Sequence, residues 1–99
     1  MSLDDSPLSI YIKRLNHLEY QVEFKPKAIK DLQKLPLNIQ ERIISKIEVM
    51  QNDLQGDIKR LTNFTPEYRL RVGDYRVLFE VEQQAIVIYR IKHRTKAYE

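Results

Sequence analysis

A short segment that reads YRLRVGDYRVLF, residues 68–79, carries three arginines: Arg69, Arg71 and Arg76. Apolar and basic residues alternate before Gly73-Asp74, a pair typical of a tight hairpin turn, so the segment predicts two antiparallel strands. A two-residue turn places Arg71 directly opposite Arg76, with Arg69 on the same face. Like charges that face each other across a sheet destabilise it by up to about 1 kcal/mol, which indicates that an anion binds there. Because guanidinium groups bind phosphate in a bidentate manner, a polynucleotide is favoured; a solvated hairpin face is the alternative.

The C-terminal end adds a group that can transfer protons. Histidine is the side-chain type whose ordinary pKa lies closest to neutrality, and His93 is the one histidine in this half of the chain. If residues 83–84 form a second two-residue turn, Arg76 pairs with Ile91 and His93 shares the face of Arg71 and Arg76. The pattern therefore predicts a catalytic histidine beside the arginines, although a lone histidine is more often structural.

Further basic residues extend this surface. From Lys59 to the C-terminus the chain carries a net charge of +4, whereas the preceding part carries −1. This asymmetry predicts a localised basic surface for nucleic acid or for an acidic partner protein. The candidate RNA-binding residues outside the hairpin are Lys59, Arg60, Arg94 and Lys96. Tyr98 adds a phenol that can stack on a base or donate a hydrogen bond, and is otherwise a packing anchor.

The composition excludes several classes of protein. A chain of 99 residues has room for one domain with a modest core. There is no cysteine, and two histidines are too few for a histidine-rich metal site, so no metal is expected. No apolar run approaches the ~20 residues that span a bilayer, and no apolar signal segment opens the chain. The cytoplasm is the expected location.

The elements that position these residues follow from periodicity. Alternation predicts a strand at residues 20–24, and helical spacing predicts an antiparallel helical hairpin, with one helix from Pro26 to Pro36 and another from about Leu37 to about Asp53. Residues 57–66 are expected to be a loop or a short strand extension, and residues 68–92 a three-stranded antiparallel meander. The predicted fold class is α+β, a small sheet with the helices packed on one face. Residues 1–18 form an N-terminal arm without a clean period, and residues 19–99 form the single domain.

The segment YRLRVGDYRVLFEV, followed by a terminal H-R-x-x-x-Y and preceded by a strand and a helical hairpin, resembles the RelE/ParE superfamily of type II toxins. The resemblance covers residues 20–98. Within the superfamily, the chain is similar to the RelE branch, whose members cleave mRNA in the ribosomal A site. The ParE branch poisons DNA gyrase and lacks the nuclease residues. The resemblance implies a catalytic set of Arg69, Arg71, Arg76, His93 and Tyr98. It leaves the general base unassigned, because arginine stays protonated in proteins.

The activity that the resemblance implies is a transesterification without metal or cofactor. The ribose 2′-OH attacks the adjacent phosphate and produces a 2′,3′-cyclic phosphate. In this scheme the arginines hold the phosphate, His93 is the general acid and Tyr98 orients the substrate. The implied partners are a cognate antitoxin, the 30S A site with its mRNA, and operator DNA bound only by the toxin–antitoxin complex. A gyrase inhibitor without nuclease activity and a plain basic nucleic-acid-binding domain are the alternatives.

Overall fold

The computed structural model describes residues 20–99 of the chain. The predicted N-terminal arm, residues 1–18, lies outside them. Within the described range, no helix combines the length and the apolar composition needed to cross a membrane.

Two prolines set where the helices begin. Strand β1 (Gln21–Phe24) leads into helix α1 (Pro26–Gln33), and helix α2 (Leu37–Gln51) begins directly after Pro36. Pro26 suits the first helical turn because an N–H at that position needs no intrahelical partner. Pro36 separates the two helices because it disfavours the α conformation in the residue before it. Both helices end within a few residues of the predicted positions.

Five strands of the described part of the chain form one sheet. Besides β1 they are β2 (Ile58–Arg60), β3 (Tyr68–Val72), β4 (Tyr75–Glu82) and β5 (Ala85–His93). The strand order is β1-β5-β4-β3-β2, in which β1 and β5 are parallel and the other pairs are antiparallel. The predicted α+β fold, with helices packed on the sheet, is confirmed. The short β2 adds a strand to the predicted meander.

Both helices contribute to a core on one face of the sheet. The buried side chains of this core come from α1 and α2 (Ala28, Ile43, Ile47 and Met50) and from β3, β4 and β5 (Leu70, Val72, Val77, Phe79, Ile86, Ile88 and Ile91). Alternation along the strands then directs the arginines of the hairpin to the other face. We call the face that carries the core the helix face and the opposite one the outer face.

Both turns of the meander have two residues, as predicted. Val72 pairs with Tyr75 across the first turn, and Glu82 pairs with Ala85 across the second. Gly73 adopts a φ of 57° in the first turn. This left-handed conformation favours glycine because it has no Cβ.

The ladder between β4 and β5 is interrupted by one extra residue in β5. Phe79 pairs with Ile88, but the preceding residue, Leu78, pairs with Arg90. Tyr89 therefore has no partner on β4 and forms a β-bulge. A bulge of one residue moves all side chains beyond it to the opposite face from that expected for a regular strand.

The bulge overturns one prediction about the end of β5. Arg76 pairs with Lys92 instead of Ile91, and His93 pairs with Tyr75. The expected pairing of Arg76 with Ile91 is therefore wrong. The turn length was right, but the prediction assumed that β5 has no irregularity.

Asp31 on α1 fastens this helix to β5. Its carboxylate accepts hydrogen bonds from Nε and Nη2 of Arg90, at 2.8 and 3.1 Å, and from the backbone N–H of Ile91 at 2.9 Å. The parallel pairing of β1 with β5 ends at Ile88, so the amide of Ile91 needs another partner. Burial raises the pKa of Asp31, but the hydrogen bonds from Arg90 and Ile91 outweigh it, and the pKa lies below its ordinary value.

We expect Asp31→Ala to destabilise the protein by about 2 kcal/mol, because the amide of Ile91 and the guanidinium of Arg90 lose a charged acceptor. Asp31→Asn keeps an acceptor and should cost less. Since the folded pKa is lowered, the Asp31 contribution is present above its ordinary value of 3.8 and is lost as the pH falls below it. Urea unfolding of the wild type and both variants at pH 7 and near pH 3 measures this. Equal stability of all three at pH 7 would contradict the assignment.

Candidate functional site

A row of three cations crosses the outer face near the β3–β4 turn. Arg71 of β3 pairs with Arg76 of β4, and Arg76 pairs with Lys92 of β5. The predicted opposition of the two arginines is confirmed. In the next row, Lys59 of β2 pairs with Arg69 of β3. We call these five residues the basic face.

The basic face contains a carboxylate of the chain itself. Asp57 Oδ1 accepts a hydrogen bond of 3.0 Å from Arg69 Nη1, and Asp57 Oδ2 lies 3.8 Å from Arg71 Nε. The hydrogen bond from Arg69, together with the charges of Arg71 and Arg76, lowers the pKa of Asp57 below its ordinary value. Sequence reasoning missed Asp57, because only the pairing of β2 with β3 brings it to the arginines.

Arg76 is oriented by the backbone of its own hairpin. Its Nη1 donates to the carbonyl oxygens of Gly73, at 2.8 Å, and Tyr75, at 2.9 Å. These contacts use one nitrogen of the guanidinium. The remaining N–H groups keep the planar fork geometry that binds phosphate.

His93 lies on the helix face at the end of β5. Its ring meets the ring of Tyr75 edge to face, with centroids 5.5 Å apart, and Tyr75 packs against the core. Its Nδ1 lies 3.0 Å from Thr95 Oγ1. The prediction that His93 shares the face of Arg71 and Arg76 is therefore wrong, because the bulge places Lys92 there instead.

Tyr98 reaches the outer face through a different contact. Its ring meets the ring of Phe64 edge to face, with centroids 5.5 Å apart. Phe64 belongs to the β2–β3 connection, which is held to the outer face by a hydrogen bond of 2.8 Å from the Glu67 amide to Glu80 Oε2. The connection (residues 61–67) and the C-terminal turn (residues 94–98) therefore cover part of the outer face. Tyr98 is 47% exposed, so its phenol remains available.

The other predicted RNA-binding residues lie at the rim with acidic partners. The exposed ion pairs are Arg60 with Glu67, Arg94 with Asp74 at 3.6 Å and Lys96 with Glu99 at 3.8 Å. Only Lys59 shares the outer face with the arginines, since the next residue along β2 points to the other side. Exposed ion pairs are worth about 0–1 kcal/mol each, so a phosphate can replace these carboxylates.

Arg42 adds a cation that the sequence did not reveal as part of the site. A Cβ placed on Gly73 would lie 2.9 Å from Arg42 Nη1, so this guanidinium of α2 rests against the β3–β4 turn. Its position extends the positive charge from the outer face around the end of the sheet.

The fold and the basic face define a small α+β domain with helices on one side of the sheet and an arginine-rich surface on the other. The sequence matches the model of the family described as ParE toxin of type II toxin-antitoxin system, parDE, over residues 22–98. The Toxin RelE3 of Methanocaldococcus jannaschii is 38% identical over 84 residues, which are 80% of this chain and 96% of that protein. The chain therefore belongs to the RelE/ParE superfamily of type II toxins, and it is a toxin of the RelE kind.

Solved structures agree with this assignment. The RelB-RelE antitoxin-toxin complex from Methanococcus jannaschii contains a chain with 36% identity and a TM-score of 0.64, over 77% of this chain and 94% of that one. The toxin-antitoxin complex RelBE2 from Mycobacterium tuberculosis contains one with 27% identity and a TM-score of 0.67, over 77% and 99%. The arrangement of helices and strands is thus that of RelE toxins.

We expect Tyr98 and Phe64 to be coupled energetically. An edge-to-face aromatic pair contributes about 0.5–1.5 kcal/mol beyond its buried area, so the double variant Phe64→Ala/Tyr98→Ala should be less destabilised than the sum of the single variants by that amount. Tyr98→Phe keeps the ring and should keep the stability. Chemical unfolding of the wild type, the two alanine variants and the double variant gives the coupling energy. A value of zero would show that the C-terminal turn does not pack on the β2–β3 connection.

Proposed function

We propose that this chain is a ribosome-dependent endoribonuclease, which cleaves mRNA in the A site and is neutralised by a cognate antitoxin. The observation that carries the proposal is the cationic row of Arg71, Arg76 and Lys92 on an otherwise ordinary sheet. Neighbouring cations on adjacent strands repel one another. A polyanion that binds across them offsets this repulsion, and RNA supplies closely spaced phosphates.

The chemistry is attack by a ribose 2′-OH on the adjacent phosphate. The 2′-oxygen forms a bond to phosphorus as the bond to the 5′-oxygen breaks, and the products are a 2′,3′-cyclic phosphate and a free 5′-OH. The 2′-OH gives up its proton, and the 5′-oxygen gains one. Arg71 and Arg76 would hold the non-bridging oxygens and stabilise the charge that develops on them. Holding the phosphate in line with the 2′-oxygen is the second contribution.

The proton donor has two candidates on opposite faces. The resemblance implies His93 as general acid, with Tyr98 orienting the substrate. His93 lies against Tyr75 on the helix face, so this role requires the RNA to bend around the end of β5. Lys92 lies beside Arg76 on the outer face, and its ammonium can also donate a proton. We favour Lys92, because it lies in one row with Arg71 and Arg76, on the face where the phosphate would bind.

The ribosome would supply the positioning that the small basic face cannot. Lys59 belongs to the basic face, and Arg60, Arg94 and Lys96 are further exposed cations outside it. They are suited to phosphates of the mRNA or of ribosomal RNA, since long-range attraction guides a basic surface to RNA. Contacts of this kind fix orientation and carry no base specificity.

A cognate antitoxin would cover the same charge. The related toxins were solved as RelB–RelE and RelBE2 complexes. An acidic segment of a partner protein, laid as a helix or strand on the sheet or helices, matches the basic face in sign. Operator DNA would be bound only by the resulting complex.

A gyrase inhibitor of the ParE kind is the second candidate. The matching family model describes ParE toxins, and the separation of His93 from the arginines weakens the nuclease assignment. A translation extract charged with a defined mRNA separates the candidates. We expect cuts at defined positions that require ribosomes and carry 2′,3′-cyclic phosphate ends. Intact mRNA together with inhibited supercoiling would support the gyrase inhibitor instead.

We expect Arg76→Ala to reduce cleavage about 100-fold or more, the usual effect of removing a group that stabilises transition-state charge. The measurement is single-turnover cleavage on programmed ribosomes. Lys46→Ala, which removes an exposed cation from α2, is the matched control and should cleave normally. Full activity of Arg76→Ala with the fold intact would remove the basic face from the mechanism.

The same assay locates the proton donor. Loss of a general acid costs about 10²–10⁴ in rate. We expect Lys92→Ala to lose activity in this range and His93→Ala to lose clearly less, because the imidazole lies on the helix face. The reverse order would show that the RNA passes around the end of β5 and uses His93.

A further inference from the structure

The anion already held by the basic face is the carboxylate of Asp57. Its two oxygens lie near different arginines: Oδ1 is 3.0 Å from Arg69 Nη1, and Oδ2 is 3.8 Å from Arg71 Nε. Carboxylate and phosphate bind guanidinium through the same arrangement of oxygens. The Asp57 side chain therefore occupies a position suited to two oxygens of an RNA phosphate.

The main chain of Asp57 is held in place independently of its carboxylate. The carbonyl oxygen of Asp57 accepts hydrogen bonds from the amide of Arg71 at 2.9 Å and from Nη1 of Arg69 at 2.8 Å. The bond from the Arg71 amide extends the pairing of β2 with β3 by one residue. A substitution that changes only the charge of residue 57 thus leaves the arginines and the strand in place.

The carboxylate is also free to leave. The side chains of Asp57 and Arg71 are 54% and 58% exposed, so water competes for their contact, whereas the side chain of Arg69 is only 15% exposed and holds the carboxylate more firmly. Exposed ion pairs are weak and are screened by salt. A phosphate delivered to the arginines at a high local concentration can displace Asp57, whereas RNA encountered at random has to compete with it.

We propose that Asp57 is a resident counter-ion of the basic face, which occupies the phosphate site of the free toxin and is displaced by RNA held in the correct position. This inference rests on the proposed RNA substrate. Asp57 offsets the repulsion among the arginines in the absence of RNA, and it lowers the affinity for RNA that no ribosome positions. It makes ribosome dependence partly a property of the toxin itself.

The test is direct binding of a short fluorescent single-stranded RNA to the purified toxin at several salt concentrations. Asp57→Asn keeps the shape and removes the charge. We expect it to bind the RNA about fivefold more tightly at low salt, the Coulomb effect of one charge at about 4 Å in water. The slope of log K against log salt should become steeper by about 0.7, the value for one additional phosphate contact on a single strand.

Glu48→Gln is the matched control. It makes the same change in net charge, but Glu48 is exposed on α2, which lies on the helix face. We expect it to bind RNA like the wild type. Weaker or unchanged binding by Asp57→Asn, with its fold intact, would overturn the inference and assign Asp57 a positioning role. If neither the wild type nor Asp57→Asn binds the RNA at low salt, the inference is overturned as well.

This experiment is independent of the cleavage assay. The binding result depends on the charge of residue 57 and not on ribosomes or on a proton donor. If mRNA stays intact in the translation extract while Asp57→Asn binds RNA more tightly, the nuclease activity fails and the counter-ion is retained. If mRNA is cut but Asp57→Asn binds no better, the counter-ion fails alone.

Discussion

One extra residue in β5 decides which side chains lie beside the arginines. Tyr89 bulges directly after Ile88, the last residue of β5 that pairs with β1. Beyond this point no strand within residues 20–99 pairs with that edge of β5, and irregular backbone is tolerated because Asp31 accepts the hydrogen bond of the Ile91 amide. Lys25 Nζ lies 5.3 Å from the centre of the Tyr89 ring and holds the bulged side chain in place. The β1–β5 pairing therefore ends where the bulge begins, and the bulge places Lys92 instead of His93 beside Arg76.

The parts of the fold that depend on local chemistry could be predicted from the sequence. Proline positions gave the helix starts, and Gly73-Asp74 gave a turn whose length fixed the opposition of Arg71 and Arg76. The bulge depends on where β1 ends, which is a contact between distant parts of the chain. A trace of it exists in the sequence nevertheless: Ile88 and Ile91 both lie in the core, and a spacing of three residues is incompatible with strict alternation.

The residues of the candidate site likewise divide into those that local sequence predicts and those that depend on contacts between distant parts of the chain. The arginines were visible because one short turn joins their strands, whereas Asp57 and Lys92 join them only through the pairing of β2 with β3 and of β4 with β5. Electrostatics gave a reason to look for Asp57. Clustered cations on a sheet repel one another, and an anion close to them stabilises the fold in the absence of a ligand. An acidic residue next to a strand that borders such a cluster is therefore a candidate counter-ion.

The two faces of the sheet then carry different tasks. The helix face supplies the buried core. The outer face can hold repelling charges because they are at least partly exposed, and water and salt weaken the repulsion there. On the function proposed above, RNA, an acidic antitoxin segment and the Asp57 carboxylate all bind the same guanidinium groups. They must then exclude one another, so neutralisation by an antitoxin requires only that its carboxylates outcompete RNA at the arginines.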